Sequence, residues 1–329
     1  MGTQQLDNQQ LNIDYKVDHF FEEKIAYYKD QPSGECAQYI PELKNVNPNY
    51  LACALLLPDG KIHLHGDYEI PFTLQSISKV ISFIAACMYK GPSYVLDWVD
   101  VEPTGDPFNS ILRFELKDKQ KPFNPMINAG ALTVASLLPG TTPTEKIQGV
   151  VHLLSSLIDK NVTINKKVFE SEWETAYRNR ALANFLKEHN LLASSVEDTL
   201  FTYINLCSVE INVEDLAKIG LILSLDGFDP VRQIQIIPAP IVRLTKILMF
   251  TCGMYNSSGK FAAFIGLPAK SGVSGGILGA VPPSLRHHPL LSDGCGLGIY
   301  GPAIDENGNS IKGTRLLEDF IQVYDIKIF

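Results

Sequence analysis

Strand-like runs stand near both ends of this chain and helical runs fill its middle, an order that leaves few ways to fold. Leu51-Ala52-Cys53-Ala54-Leu55-Leu56-Leu57 and Lys61-Ile62-His63-Leu64-His65 flank Pro58-Asp59-Gly60, a hairpin signal. Short apolar runs return only at Gly276-Ile277-Leu278-Gly279-Ala280-Val281 and Gly296-Leu297-Gly298-Ile299-Tyr300. Between them helical spacing covers Ala129 to Leu138, Lys146 to Ile158, Trp173 to His189, Val196 to Cys207, Val213 to Ser224 and Ala239 to Met249. Hairpins pair antiparallel, so the simplest closure brings both ends of the chain into one sheet with the helical insert beside it. The expected fold class is α+β. At the margins, residues 1–16 read as a loose polar arm, Val17 to Asp30 as a helix, and about Gly313 to Tyr324 as a final helix. A short element holds Cys36, Tyr39 and Ile40, with Pro41 ending or redirecting it. The expected division is an arm over 1–16 and one domain over 17–329. Its sheet part is about 17–75 and 255–329, and its helical part about 76–254.

Several function classes drop out at this stage. A net charge of −8, a pI near 5.4 and no basic run argue against a phosphate backbone as partner, so nucleic acid is not expected. The six cysteines are scattered, without a C-x-x-C pair, and several lie inside apolar runs, which suits buried thiols in a reducing compartment. The histidines form no H-x-x-x-H pair. His63 and His65 alternate along a strand and His287-His288 follow a proline-rich turn; both read as structural or surface features. No metal or other cofactor is implied. No apolar stretch approaches the length of a membrane span, and the polar start lacks signal architecture, so the protein is expected in the cytoplasm.

The chemistry centres on Phe72-Thr73-Leu74-Gln75-Ser76-Ile77-Ser78-Lys79, followed by an apolar helical run that stops at Gly91-Pro92. Ser76 stands at the mouth of that helix, where unpaired N–H groups favour developing negative charge. Lys79 is one turn on, so its amine returns beside the hydroxyl, and burial would lower its pKa. That is an activated nucleophile. S-x-x-K is also the nucleophile motif of penicillin-binding proteins and class A β-lactamases. A second match, Ser257-Ser258-Gly259-Lys260, has an internal glycine and no apolar run after it, and reads as a turn. Lys270-Ser271-Gly272, before a predicted strand, matches the K-[ST]-G of the same enzymes, and Tyr203-Ile204-Asn205 matches their intermediate Y-x-N form.

Longer blocks are more specific. They are Asp67 to Lys79, Val101-Glu102-Pro103-Thr104-Gly105-Asp106-Pro107-Phe108-Asn109, and Asn124-Pro125-Met126-Ile127-Asn128-Ala129-Gly130-Ala131. To these add Leu206-Cys207-Ser208-Val209-Glu210, Cys252-Gly253-Met254-Tyr255 and Gly266 to Gly276. From about Gly34 to Gly313 the chain resembles the serine-dependent glutaminase family, in its bacterial form. The resemblance implies a β-lactamase/transpeptidase-like fold and hydrolysis of L-glutamine to L-glutamate and ammonia. It further implies Ser76 as nucleophile, Lys79 as proton acceptor, and the backbone N–H groups of Ser76 and Val273 as oxyanion hole. Tyr255 would relay a proton to the leaving ammonia and Tyr39 would close the site. Asn128, Glu172, Asn179 and Tyr203 match the family's amino-acid-binding positions. A homodimer or homotetramer is the family's habit.

A free amino acid carries an ammonium and a carboxylate, so its site needs one carboxylate and several neutral donors. Glu172 supplies the first, and Asn128, Asn179 and Tyr203 the second. Glu172 and Asn179 are seven residues apart, hence on one face if their helix is continuous. Ala176-Tyr177 departs from the Gly-Asp or similar pair that many relatives carry there. Two alternatives stand beside the glutaminase reading: another serine acyl hydrolase of the β-lactamase and penicillin-binding class, and a non-catalytic amino-acid-binding sensor.

Overall fold

The computed structural model describes residues 2–32, 34–105 and 121–329, with backbone alone for residues 2–15. The first part comprises α1 (Gly2–Lys29), α2 (Pro41–Lys44), the hairpin β1 (Ala52–Leu56) and β2 (Ile62–Gly66), and β3 (Phe72–Thr73). The helical middle holds α3 (Ser78–Lys90), α4 (Pro92–Trp98), α5 (Asn128–Leu137), α6 (Pro143–Ile158), α7 (Lys166–Thr175), α8 (Tyr177–Glu188) and α9 (Val196–Cys207). It continues through β4 (Glu210–Ile211), α10 (Val213–Ser224), the small pair β5 (Phe228–Asp229) and β6 (Ile234–Gln235), α11 (Ala239–Cys252) and α12 (Ser258–Phe264). The chain closes with β7 (Ala269–Ser271), β8 (Gly276–Val281), β9 (Cys295–Tyr300) and α13 (Ile311–Tyr324).

The main sheet has the order β2-β1-β9-β8-β7, antiparallel throughout. The fold is α+β, with the two ends of the chain joined where Ala52 pairs with Tyr300 and Leu56 with Gly296. β1 is buried on both faces, which is why its sequence is continuously apolar and does not alternate. Ala52, Ala54 and Leu56 join the large core shared with the helical middle. Leu51, Cys53, Leu55 and Leu57 join a second core under α1 and α13, with Phe21, Leu316 and Phe320.

On the helical side α10 lies directly on β8 and β9. A Cβ on Gly296 would come 1.9 Å from the Ala217 carbonyl oxygen, and one on Gly220 would come 2.2 Å from that of Gly279. Glycine on both surfaces is what lets a helix backbone and a sheet backbone touch.

Four local expectations change. The polar first residues, expected as a loose arm, are helical from Gly2. Pro41 does not end an element but opens α2 from its first turn, where its missing N–H costs nothing. Ser257 to Lys260, read as a turn, passes from a 3₁₀ turn into α12. The single helix expected over Trp173 to His189 is two, separated at Ala176. Asp106 to Asn109, the end of the Val101–Asn109 block quoted above, lie outside the described residues. Among the described residues no helix is long and apolar enough to cross a membrane.

Gly296→Ala should destabilise the protein by roughly 3 kcal/mol or more in urea unfolding, since backbone, not a side-chain tip, must move. Gly259→Ala, with open space around its Cβ and a helical backbone, should be neutral or stabilising by up to about 1 kcal/mol. Equal effects would refute the close-contact account.

Candidate active site

Ser76 sits in a single 3₁₀ turn, Gln75–Ile77, between β3 and α3. The preceding Gln75 has φ +46°, a left-handed conformation costly for a non-glycine residue, and such strain gathers at functional turns. The turn is held from both sides. Leu74 N–H donates to Val209 O at 2.8 Å, and Ile77 N–H to Leu74 O at 3.0 Å. From the other end of the chain β7 arrives so closely that a Cβ on Gly272 would meet Leu74 O at 2.7 Å. The K-S-G glycine therefore lets Val273 approach the serine, and the Ser274 hydroxyl completes the junction by donating to Thr73 O at 2.7 Å.

Lys79, in the first turn of α3, is 1% exposed. Its amine donates to Asn128 Oδ1 at 2.7 Å and to Met126 O at 3.2 Å. Burial pushes its pKa down to about 8, with Cys207 and Glu172 opposing the shift. Asn128 opens α5 and organises the neighbourhood. Its Oδ1 also accepts from the Tyr203 hydroxyl at 3.4 Å, and its Nδ2 donates to Asn179 Oδ1 at 3.0 Å. The Asn124 side chain prepares that helix start by accepting from the N–H groups of Met126 and Ile127.

Glu172 closes the far side of the cavity. It is 8% exposed and its Oε2 accepts from Gln75 Nε2 at 3.4 Å. Burial pushes its carboxyl up to about 7, against the Gln75 hydrogen bond and the charge of Lys79. Tyr255 is buried behind the serine at φ +51°. Burial raises its pKa, while hydrogen bonding from Ser76 and from the Val273 backbone opposes the rise, which places the phenol against both groups. Lys270 Nζ lies 4.4 Å from the centre of the Tyr255 ring and donates to Gly253 O and Ser271 O, so this fully buried amine braces the tyrosine. The second S-x-x-K has a structural task here. Ser258 Oγ accepts from Met254 N–H at 3.0 Å and donates to Tyr255 O at 2.8 Å, shaping the turn that carries Tyr255.

Tyr39, Ser76, Asn128, Glu172, Asn179, Tyr203 and Val273 line one cavity of about 360 Å³. Lys79 and Tyr255 lie just behind its wall, and Tyr39, 54% exposed, forms its rim. Glu172 and Asn179 reach it from two helices and not one, since the chain turns at Ala176 and lays Thr175, Ala176 and Arg178 along the same wall. Gln75 was missed by the sequence reading; its position next to Ser76 was the available signal. A hydroxyl at a helix mouth, a lowered amine one turn on, one buried carboxylate and a set of amide and phenol groups suit acyl transfer on a small zwitterion.

The glutaminase family profile matches residues 34–329. The chain is 58% identical over 306 residues to Glutaminase 2 of Bacillus anthracis, covering 93% of this chain and 94% of that one. It is 56% identical over 306 residues to Glutaminase 1 of Bacillus subtilis, covering 93% and 94%. Among solved structures, a probable glutaminase from Bacillus subtilis complexed with 6-diazo-5-oxo-L-norleucine superposes with a TM-score of 0.88 at 51% identity, covering 95% of this chain and 96% of that one. A covalent complex between a Bacillus subtilis glutaminase and 5-oxo-L-norleucine has a TM-score of 0.86 at 51% identity, covering 94% and 98%.

The buried Glu172 carboxyl has an expected signature in stability. Between its unfolded value of 4.5 and its folded value of about 7, the native state binds the extra proton, so stability is present below 4.5 and is lost as pH rises to about 7. The loss should approach about 3 kcal/mol at most, and Glu172→Gln should abolish it. A wild-type and a Glu172→Gln profile that run parallel in denaturant titrations from acid to neutral pH would refute the assignment.

Proposed function

The chain belongs to the glutaminase family, and on that footing we propose how its own residues hydrolyse L-glutamine to L-glutamate and ammonia. The carrying observation is that Ser76 and Glu172 open onto one cavity, with Lys79 and Tyr255 behind the serine. The Glu172 carboxylate receives the substrate ammonium, and Asn128, Asn179 and Tyr203 receive its carboxylate, which points the side-chain amide at Ser76. Tyr39 covers the entrance.

Ser76 Oγ bonds to the amide carbon as its proton passes to the neutral Lys79 amine. The carbonyl oxygen takes up the negative charge under the N–H groups of Ser76 and Val273. Collapse breaks the C–N bond as Tyr255 hands a proton to the departing nitrogen and takes one back from the protonated Lys79 amine, so ammonia leaves an acyl-enzyme at Ser76 with Lys79 neutral again. Water then attacks the same carbon, Lys79 again takes the proton, and glutamate is released as Ser76 recovers its hydrogen. The relative trapped covalently by a diazo-ketone analogue of glutamine supports a nucleophile in this cavity. The lowered pKa of Lys79 supports a base that is already partly uncharged near neutrality.

We further propose a cytoplasmic homodimer or homotetramer. Six cysteines, all buried and none in a disulfide, support a reducing compartment.

Ser76→Ala and Lys79→Ala should each lower kcat on the order of a thousandfold or more, because members of one catalytic unit are not additive. Ser76→Ala should retain glutamate binding, and Glu172→Ala should act mainly through KM. Folded wild type that releases no ammonia from glutamine would sink this reading, and nitrocefin turnover would favour the β-lactamase class instead. As a second expectation, kcat/KM should rise with pH through two ionisations, Glu172 near 7 and Lys79 near 8. Glu172→Gln should remove the first of these and leave the second; a profile with both ionisations intact in that variant would contradict the assignment.

A further inference from the structure

A second cluster of chemistry-bearing side chains lies away from the cavity, where α1 crosses the hairpin. His63 and His65 stand two apart on β2 and so share a face, while Ile62 and Leu64, which alternate with them, pack on the other side against the large core. Asp18 of α1 meets both rings. Its Oδ1 is 2.6 Å from His63 Nδ1 and 3.0 Å from His65 Nε2, and the three donor atoms all lie within 4.8 Å of one another. β2 is at the opposite edge of the sheet from β7, the strand that leads to Val273, and none of the three residues lines the catalytic cavity.

We propose that Asp18, His63 and His65 form a binding site for a divalent transition-metal cation of the zinc class, which fastens α1 to the sheet edge. Two imidazoles and one carboxylate are a donor set for Zn²⁺ and its neighbours, not for Mg²⁺ or Ca²⁺, which demand oxygen. The geometry is near what such an ion requires. Bonds of about 2.0–2.2 Å in a tetrahedron put ligand atoms about 3.3–3.5 Å apart, so the carboxylate oxygen withdraws by about 0.3–0.5 Å from His65 Nε2 and by about 0.7–0.9 Å from His63 Nδ1, within reach of a rotation of the half-exposed Asp18 side chain. Both contacts converge on the same carboxylate oxygen, which is where a shared cation would draw the three atoms together.

The surroundings suit the task. The Asp18 side chain is 43% exposed while His63 and His65 are 1% and 8% exposed, so the site is walled by the protein on the histidine side and open to solvent on the aspartate side. That opening admits the ion and leaves a fourth position for water. Phe21 stacks on His65 at 5.4 Å and on Phe320 at 4.9 Å, which holds the ring in its ligand orientation. Binding asks for no net transfer of atoms beyond tautomer exchange. Without the ion, ring N–H groups face Asp18; with it, the same nitrogens present lone pairs and the ring protons reside on the opposite nitrogens. Sequence spacing alone offered only the two histidines, because Asp18 joins them through the docking of α1.

The test is titration of the EDTA-stripped full chain with Zn²⁺ by calorimetry and with Co²⁺ by visible absorption. One ion per chain is expected, with a Co²⁺ spectrum lacking thiolate charge-transfer bands, and a thermal midpoint that rises with Zn²⁺. Asp18→Asn, on the exposed flank of α1, should fold and should weaken binding at least about tenfold, as should His65→Gln. Absence of uptake by wild type, thiolate bands that point to the cysteines, or undiminished binding in Asp18→Asn would overturn the proposal.

Discussion

The pairing of β1 with β9 is the constraint from which most of this architecture follows. It joins Ala52–Leu56 to Cys295–Tyr300 across nearly the whole chain, so everything between must leave the sheet and return to it. The helical middle is that excursion, packed on one face through the backbone contact of α10 with β8 and β9, while α1 and α13 cover the other. Such long-range closure is costly in chain entropy, and it is offset by burying both faces of β1 and β9 in two separate cores.

The same closure builds the active site. Ser76 lies where the chain departs from the sheet into the helices, and Val273 and Tyr255 lie where it comes back. Only a sheet holding both ends of the chain can set Gly272 against Leu74 closely enough for the proposed nucleophile, Ser76, and the proposed oxyanion donor, Val273, to stand on adjacent backbones. The groups proposed to bind the amino acid, Asn128, Glu172, Asn179 and Tyr203, then come from the excursion itself, on α5, α7, α8 and α9.

Two buried ionisable groups at this cavity, Glu172 in its wall and Lys79 behind it, carry opposite penalties. Burial makes the Lys79 amine easier to deprotonate and the Glu172 carboxyl harder to ionise. The first suits the base proposed for Lys79. The second suits the ammonium-binding role proposed for Glu172, since a cation arriving beside it would relieve an unfavourable burial. Asn128, bonded to Lys79, Tyr203 and Asn179 together, links the two halves of this arrangement.

Local pattern determined much of the result. The bounds of α9 and α10 follow directly from apolar spacing, reinforced by the Ser195 and Asn212 caps, and the hairpin follows from Pro58-Asp59-Gly60, where Gly60 takes φ +87°. The block around Ser76 pointed to the chemistry because strand, turn, hydroxyl and lysine are all encoded within a few residues. Features set by distant contacts were not legible. The break at Ala176 interrupts a sequence whose helical spacing is uninterrupted, and it is visible only once Thr175 and Arg178 are seen to share the cavity wall. The contact of Asp18 with His63 and His65 and the raised pKa of Glu172 are likewise products of packing, whereas the lowered pKa of Lys79 was already expected from burial. The sequence by itself determined the elements and the type of reaction, because both depend on residues close together in the chain. The tertiary structure alone decided which side chains meet and how far burial moves their protons, because both depend on what the rest of the molecule removes from water.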